Sequence, residues 1–110
     1  MTHRTNGGLF MDKNDIQELL IRAACAAGIE LDLNTPCNGG FRAKQNGRWT
    51  SRWAPNLDDG DALRLAVKLN LNISGCRAVY AETGGDLYTD PYAATRLSIL
   101  HAAAAQHEHR

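Results

Sequence analysis

Residues 41–53 read FRAKQNGRWTSRW, with apolar and charged side chains in near alternation around an Asn-Gly pair at 46–47. Asn-Gly is typical of the tight turn of a β-hairpin. A two-residue loop pairs Lys44 with Trp49 and mixes apolar and charged side chains on both faces. A three-residue loop that ends at the glycine pairs Ala43 with Trp49 and separates the two kinds of side chain. Because register follows the buried face, we predict the three-residue loop.

This register gives the hairpin one apolar face and one basic face. We predict that Trp49 and Trp53 belong to the apolar face and point into the core. The basic face then carries the cations Arg42, Lys44, Arg48 and Arg52, and no Asp or Glu occurs over 37–57. Cations beside aromatic rings suit phosphates and single-stranded bases, so this face is a candidate interaction surface and nucleic acid a candidate partner. We favour the alternative of a solvated face or one paired with nearby acids.

An acidic cluster comes next, at Asp58-Asp59-Gly60-Asp61. It leads into apolar residues at helical spacing over 59–69. The predicted buried face is marked by Leu63, Ala66, Val67 and Asn70 and widened by Leu65 and Leu69. Asp58 suits the N-cap of this helix, and negative charge there suits the positive helix end. The cluster lacks the ligand spacing of a calcium-binding loop. We therefore predict helix capping here and no metal site.

Two more helices flank this central part. The first is predicted over 15–27, with Asn14 as N-cap. The last begins at Asp90-Pro91, with Asp90 as N-cap and the proline in the first helical position, and reaches about residue 105. Between them, 71–82 is predicted to be extended and to return through a short strand at 87–89.

These elements predict an α+β fold with a mostly antiparallel central sheet, built from two hairpins and three helices in the order α-β-β-α-β-β-α. Residues 29–33 are an optional extra strand, which Asn-Thr-Pro at 34–36 would stop. We expect a disordered lead-in over 1–13, a single domain over 14–106 and a frayed tail over 107–110. Met11 is an alternative natural start.

A weak internal repeat supports two similar units. Residues 21–31 and 63–73 lie 42 positions apart, and both are predicted to run from helix through turn to strand. Only Arg22/Arg64 and Ala24/Ala66 are identical among the first four pairs. Chance similarity is the alternative explanation.

The balance of acidic and basic residues excludes a strong electrostatic field from net charge. The 110 residues carry 12 basic and 12 acidic side chains, so nothing steers the whole chain towards nucleic acid or membrane. Leu, Ile, Val and Phe together make up 20% of the chain, which indicates a folded domain with a thin core. Self-association would add buried area, so a homodimer is a candidate state.

The three cysteines, Cys25, Cys37 and Cys76, are an odd number without paired spacing. The chain has no secretory leader and no apolar run of membrane-spanning length. We therefore expect a soluble cytoplasmic protein with free thiols, in which Cys25 is a small buried apolar group. A bridge between Cys37 and Cys76 is the alternative.

No recognised catalytic motif is present. The sequence lacks a nucleophile elbow, a phosphate loop, a dinucleotide fingerprint and a His-Glu-x-x-His helix. His101, His107 and His109 are read as ordinary surface histidines. We predict no catalytic residues, no metal and no cofactor, hence a non-enzyme. A deep pocket that joins Cys76 or His101 to a carboxylate would revive the alternative of an enzyme of unknown type.

Two runs resemble the phage ABA-sandwich family of small phage and prophage proteins. They are WAPNLDDGDALRLAVKL at 53–69 and DPYAATR at 90–96, which opens an alanine-rich final helix. In that family the Trp-adjacent Pro, the Asp-Asp-Gly-Asp-Ala-Leu-Arg run and the Asp-Pro-x-Ala-Ala-Thr-Arg run recur in this order. The similarity covers about 16–105, with Asn70 in place of an expected Gly. It implies helices on both faces of a central sheet and a phage or prophage source, but no activity and no functional residues.

The functional expectation combines these points. We expect a non-enzymatic phage or prophage accessory protein in the host cytoplasm that acts through protein–protein contacts. Its partner would be a host protein or a second copy of the chain. The alternatives are a weak nucleic-acid-binding module that uses the hairpin 41–53, and an enzyme of unknown type.

Overall fold

The computed structural model describes residues 13–108. Within them the order of elements is α1 (Lys13–Ala27), β1 (Glu30–Cys37), β2 (Gly40–Gln45), β3 (Arg48–Trp49), α2 (Asp59–Lys68), α3 (Ile73–Glu82) and α4 (Pro91–Glu108). The predicted α+β class with an antiparallel sheet is confirmed. Nearly all of the predicted lead-in, and the last two residues of the predicted tail, lie outside the described residues.

The sheet is a three-stranded antiparallel meander in the order β1-β2-β3. Both of its turns are Asn-Gly pairs in the left-handed conformation, with φ of 46° and 84° at Asn38 and Gly39 and of 55° and 78° at Asn46 and Gly47. Positive φ at both central residues defines the two-residue turn whose twist matches paired strands. The segment 29–33, which was predicted as an optional extra strand, thus contributes to β1, a regular strand of the sheet. The pairing of β1 with β2 is interrupted between Asp32 and Pro36.

The predicted three-residue loop is wrong. Lys44 lies opposite Trp49, as the two-residue loop requires, whereas Phe41 lies opposite Trp53. These two pairings differ by one residue, so a β-bulge lies after β3. Turn geometry sets the register at the tip of the hairpin, and burial of Trp53 sets it at the base. As a result Trp53 is 2% exposed and Trp49 is 41% exposed.

The predicted second hairpin is also wrong, because its first strand is the helix α3. The Asn72 side chain accepts a hydrogen bond from the Gly75 amide at 2.8 Å and so caps this helix. Ile73, Val79 and Tyr80 favour strands by propensity, which misled the prediction. The segment 87–89 makes bends rather than a strand, with the Asp86 carboxylate accepting from the Tyr88 amide at 2.8 Å.

Two of the three predicted caps are confirmed. The Asp58 carboxylate accepts from the Asp61 amide at 2.9 Å, and the Asp90 carboxylate accepts from the Ala93 amide at 3.1 Å. Helix α1 begins at Lys13, so Asn14 lies inside its first turn instead of preceding the helix. The helix starts earlier than its apolar spacing predicted, and the predicted cap at Asn14 is therefore wrong.

The core lies where α1, α2 and the sheet meet α4, the helix that the other three helices share. Small side chains let the helices approach closely, as at Ala23 on α1 and Ala103 on α4, both fully buried. Larger groups, including Leu20, Leu100 and Trp53, fill the space that remains. Alanine supplies much of this core.

Candidate functional site

Three regions of the described chain hold the residues that could carry a function. The first is the hairpin surface, defined by Arg42, Lys44 and Trp49. The Arg42 guanidinium carbon lies 5.7 Å from the centroid of the Trp49 ring, within the range of a cation–π contact. Trp49 was predicted to point into the core. The two-residue turn places it instead beside the cation Lys44 on the exposed side of the sheet.

The other two predicted cations lie elsewhere. Arg48 and Arg52 line a polar depression of about 570 Å³ beside the start of α2, together with Arg64 and with Trp49, which borders both places. The Arg52 guanidinium also donates to the Asn38 carbonyl oxygen at 3.1 Å. The prediction of one basic face with four cations is therefore wrong, because the shorter turn and the bulge divide the cations between two places.

The acidic cluster is structural throughout. Beyond the cap formed by Asp58, the Asp59 carboxylate makes an ion pair of 2.6 Å with Arg96. Asp61 is buried, accepts from the Ala54 amide at 3.0 Å and pairs with Arg64 at 2.7 Å. Asp58 thus caps α2 itself, whereas Asp59 ties the helix to α4 and Asp61 ties it to Ala54. Among the described residues, no group of His, Cys, Asp and Glu is arranged to hold a metal ion.

The second region is the apolar patch, defined by Leu63, Val67, Ile73 and Tyr92. Leu63 and Val67 were predicted to be buried, but Val67 is 71% exposed and Leu63 is 55% exposed. The buried side of α2 consists of Asp61, Ala62, Leu65 and Ala66. Leu63, Ile73 and Tyr92 border a groove of about 350 Å³ between α2 and α4.

The orientation of α2 explains why Leu63 and Val67 are exposed while Asp61 and Ala62 are buried. Asp61 is buried because its carboxylate binds the Ala54 amide, and Ala62 and Ala66 lie on the same side of the helix. The helix therefore turns its small residues towards the core and its branched residues outward. The sequence pattern could not decide between these orientations, since apolar residues surround most of α2.

The third region is the α3–α4 cavity, of about 590 Å³, which Cys76 and Tyr80 line from α3 and His101 lines from α4. The Tyr80 and His101 ring centroids are 5.7 Å apart, with the planes tilted by 49°. Burial lowers the pKa of His101, and the positive charge of Arg22 lowers it further. His101 is thus a partly buried ring rather than the ordinary surface histidine that was predicted.

Burial also raises the pKa of the Cys76 thiol. It raises the pKa of the Tyr80 hydroxyl too, with the charge of Asp86 as a second cause. Cys76 therefore stays a thiol at neutral pH, and a thiol is a poor nucleophile. No carboxylate lines this cavity among the described residues. Cys76 and His101 both face a cavity, as the enzyme alternative requires, but the carboxylate that it also requires does not join them.

The cysteines are free in the described chain. Cys25 is exposed on α1, contrary to the prediction that it is buried, and the Cys37 thiol donates to the Ser51 carbonyl oxygen at 3.3 Å. The alternative of a Cys37–Cys76 bridge is therefore wrong. Within residues 13–108, no helix has the length and apolar character needed to cross a membrane.

Comparisons of the chain with protein-family models, with curated proteins and with solved structures found no match. The resemblance to the phage ABA-sandwich family therefore stays a prediction. Of the residues gathered here, the sequence singled out Arg42, Lys44, Cys76 and His101. It missed the cavity because recognising it requires α3 to be a helix, and the signal for that helix was the cap at Asn72.

Proposed function

We propose that this protein is a phage or prophage accessory protein that acts in the host cytoplasm by binding another protein through the apolar patch. The observation that carries the proposal is the outward orientation of α2, which exposes Leu63 and Val67 and places Leu63 on the groove that the exposed Tyr92 also lines. Contiguous exposed apolar residues on a small domain commonly mark an interaction surface. The resemblance of 53–69 and 90–96 to phage proteins supports the source.

The arrangement of the patch suits a protein partner. Leu63, Ile73 and Tyr92 come from three different helices and surround one groove, so a partner side chain could insert between them. Tyr92 is 72% exposed, and tyrosine is a frequent anchor of protein interfaces. The ion pair between Asp59 and Arg96 lies at the edge of the groove. An apolar centre with a polar rim is the usual anatomy of an interface.

A pulldown with matched leucine variants tests this proposal. Leu63→Asp places a charge in the patch, and Leu33→Asp places the same charge on β1, where the leucine is 52% exposed against 55% for Leu63. Immobilised wild type and both variants are incubated with a bacterial lysate, and bound proteins are quantified by mass spectrometry. Circular dichroism and thermal melts confirm that the variants fold.

We expect a protein that wild type and Leu33→Asp retain equally and that Leu63→Asp retains about thirtyfold less, because a charge at an interface hot spot costs roughly 2 kcal/mol. A second copy of the chain is the other partner considered, and analytical ultracentrifugation would show it as a dimer that Leu63→Asp dissociates. The proposal fails if no protein exceeds background and the chain is monomeric, or if Leu63→Asp retains partners as well as wild type does.

As a second candidate we propose that the hairpin surface binds single-stranded nucleic acid. The position of Trp49 favours this function, since its exposed ring lies beside Arg42 and Lys44. Bases stack on aromatic rings while cations contact phosphates. With two phosphate contacts, log K should fall against log salt with a slope of roughly −1.4.

Fluorescence anisotropy with labelled oligonucleotides tests the second candidate. Trp49→Ala should abolish binding with little loss of stability, and replacing Arg42 and Lys44 together by Ala should remove the salt dependence. Lys68→Ala serves as the control, because this exposed cation lies on α2 and does not line the polar depression that Trp49 borders. An equal effect of Lys68→Ala, or no binding at low salt, would count against the hairpin surface.

A further inference from the structure

We propose that the α3–α4 cavity is a binding site for an uncharged, ring-containing small molecule. Its volume of about 590 Å³ lies within the range of pockets that enclose drug-sized ligands. It shares no lining residue with the groove of the apolar patch. The site is therefore independent of the proposed protein contact, and either can fail without the other.

The walls of the cavity leave a slot between two helices. Gly75, Cys76 and Val79 line the α3 side, and Ala102 and Ala105 line the α4 side. Small or apolar side chains on both walls leave a space between the helices that a ring can fill. Cys76 is the buried residue of α3, so this helix gains little burial from the protein itself. An occupant would supply apolar contacts that α3 lacks.

Two aromatic side chains contribute polar groups to this apolar slot. Tyr80 and His101 lie on opposite helices with their rings 5.7 Å apart. The Tyr80 ring occupies the space that a side chain at position 85 would need, and Gly85 leaves that space free. A neutral imidazole offers one donor and one acceptor, and a phenol offers both. The ligand therefore needs a hydrogen-bonding group as well as a ring.

The charge of the ligand follows from the lining. No Asp, Glu, Lys or Arg lines the cavity in the described chain. Although the cavity is open to solvent at Val79, which is 60% exposed, a charged ligand would lose part of its hydration against the apolar walls without gaining an ion pair. Arg22 on α1 and Tyr80 on α3 are the groups that act on His101, and the positive charge of Arg22 opposes protonation of the imidazole. The cavity is thus neutral at physiological pH and selects neutral molecules.

The test uses the neutral fluorophore N-phenyl-1-naphthylamine and two tryptophan variants of the full chain. Ala105→Trp fills the cavity from α4, and Ala78→Trp adds the same bulk to α3 outside the lining; both alanines are exposed in the wild type. We expect saturable one-to-one binding to wild type, about tenfold weaker binding to Ala105→Trp and an unchanged affinity for Ala78→Trp. Amide shifts in ¹⁵N–¹H NMR spectra of the wild type should cluster around Val79, His101 and Ala102.

Several results would overturn the proposal. One is the absence of saturable binding, and another is equal binding to both tryptophan variants. A third is that the anionic analogue 8-anilino-1-naphthalenesulfonate binds as tightly as the neutral probe. A dimer that Ala105→Trp dissociates would also overturn it, because the cavity would then be an interface between two copies of the chain.

Discussion

Helices α1 and α2 end in the same way, yet the next segment of the chain takes a different structure in each case. After α1, Gly28 has a φ of 71°, and the Ile29 amide donates back to the Ala24 carbonyl oxygen at 2.8 Å. After α2, Asn70 has a φ of 56°, and the Leu71 amide donates to the Ala66 carbonyl oxygen at the same distance. Both are Schellman motifs, in which a left-handed residue closes the helix.

The two segments of the weak internal repeat therefore have the same structure as far as the helix end and no further. Beyond it, Leu31 enters β1 and pairs with Ala43 of β2. At the matching position of the second unit, Ile73 begins α3 instead of a strand. A strand needs a partner for its backbone groups. The first unit has β2 as that partner, whereas the second has α4 to pack against and an Asn72 cap that favours a helix. Two helices that share the same C-terminal motif can therefore lead into a strand in one case and a helix in the other.

The largest expected effect is a loss of stability in the sheet, which gives the first unit a strand partner that the second unit lacks. Trp53→Ala empties a fully buried site at the base of the sheet and should lower the free energy of unfolding by roughly 3–5 kcal/mol. Trp49→Ala is the matched control and should change it by about 0.5 kcal/mol or less, since this ring is exposed. Urea denaturation followed by circular dichroism measures both. Equal losses would mean that Trp49 also belongs to the core.

The next prediction concerns the hydrogen bond from the Ala54 amide to Asp61, which connects α2 to the segment that follows the sheet. Asp61→Ala leaves the buried Ala54 amide without its acceptor and should cost about 2–3 kcal/mol. Asp59→Ala removes an ion pair whose carboxylate is largely exposed and should cost less than about 1 kcal/mol. Chemical denaturation of the two variants measures both losses of stability. If Asp59→Ala proves the more harmful, the sheet does not hold α2 through Asp61.

The two helix ends themselves can be compared directly. Gly28→Ala adds a methyl group in open space but at a positive φ, so we expect a loss of about 1 kcal/mol. Asn70→Gly should gain a few tenths of a kcal/mol, because asparagine already tolerates this conformation at modest cost. Thermal melts of both variants test whether the motifs are energetically equivalent. A loss for Asn70→Gly would show that the Asn70 side chain has a further role.

Helix α3, which distinguishes the second unit from the first, should also be less stable than α1. Asn72→Ala removes the cap of α3, and its expected cost of about 1 kcal/mol should appear mainly as local opening. Hydrogen exchange measured by mass spectrometry should speed up over α3 while α1 keeps its protection. Uniform acceleration over both helices would instead indicate that α3 unfolds only with the whole domain.

The smallest effect is a dependence of stability on pH that arises in the second unit. Because the pKa of His101 is lowered in the folded chain, the unfolded chain binds a proton first as the pH falls below about 6.5. Stability should therefore be unaffected by this group above that pH and should decline below it. His101→Gln should flatten the decline between pH 7.5 and pH 5 in urea denaturation. An unchanged slope would mean that other groups cause it.

Local chemistry made much of this fold predictable. Asp58 and Asp90 cap their helices as expected, Gly28 and Asn70 end theirs, and the Asn-Gly pair at 46–47 forms a turn. Each of these signals depends on hydrogen bonds between residues a few positions apart, so a short stretch of sequence contains all the groups involved. The α+β class follows from the order of such elements.

Only the tertiary structure decided the features that matter most for function. The bulge that separates Trp49 from Trp53, the outward orientation of Leu63 and the helical state of 73–82 each depend on distant groups. In each case the sequence pattern allowed two local arrangements. Burial of Trp53, the hydrogen bond from the Ala54 amide to Asp61 and the packing of α3 on α4 chose between them. Contacts between residues far apart in the chain cannot be read from local pattern, and they place the hairpin surface, the apolar patch and the cavity.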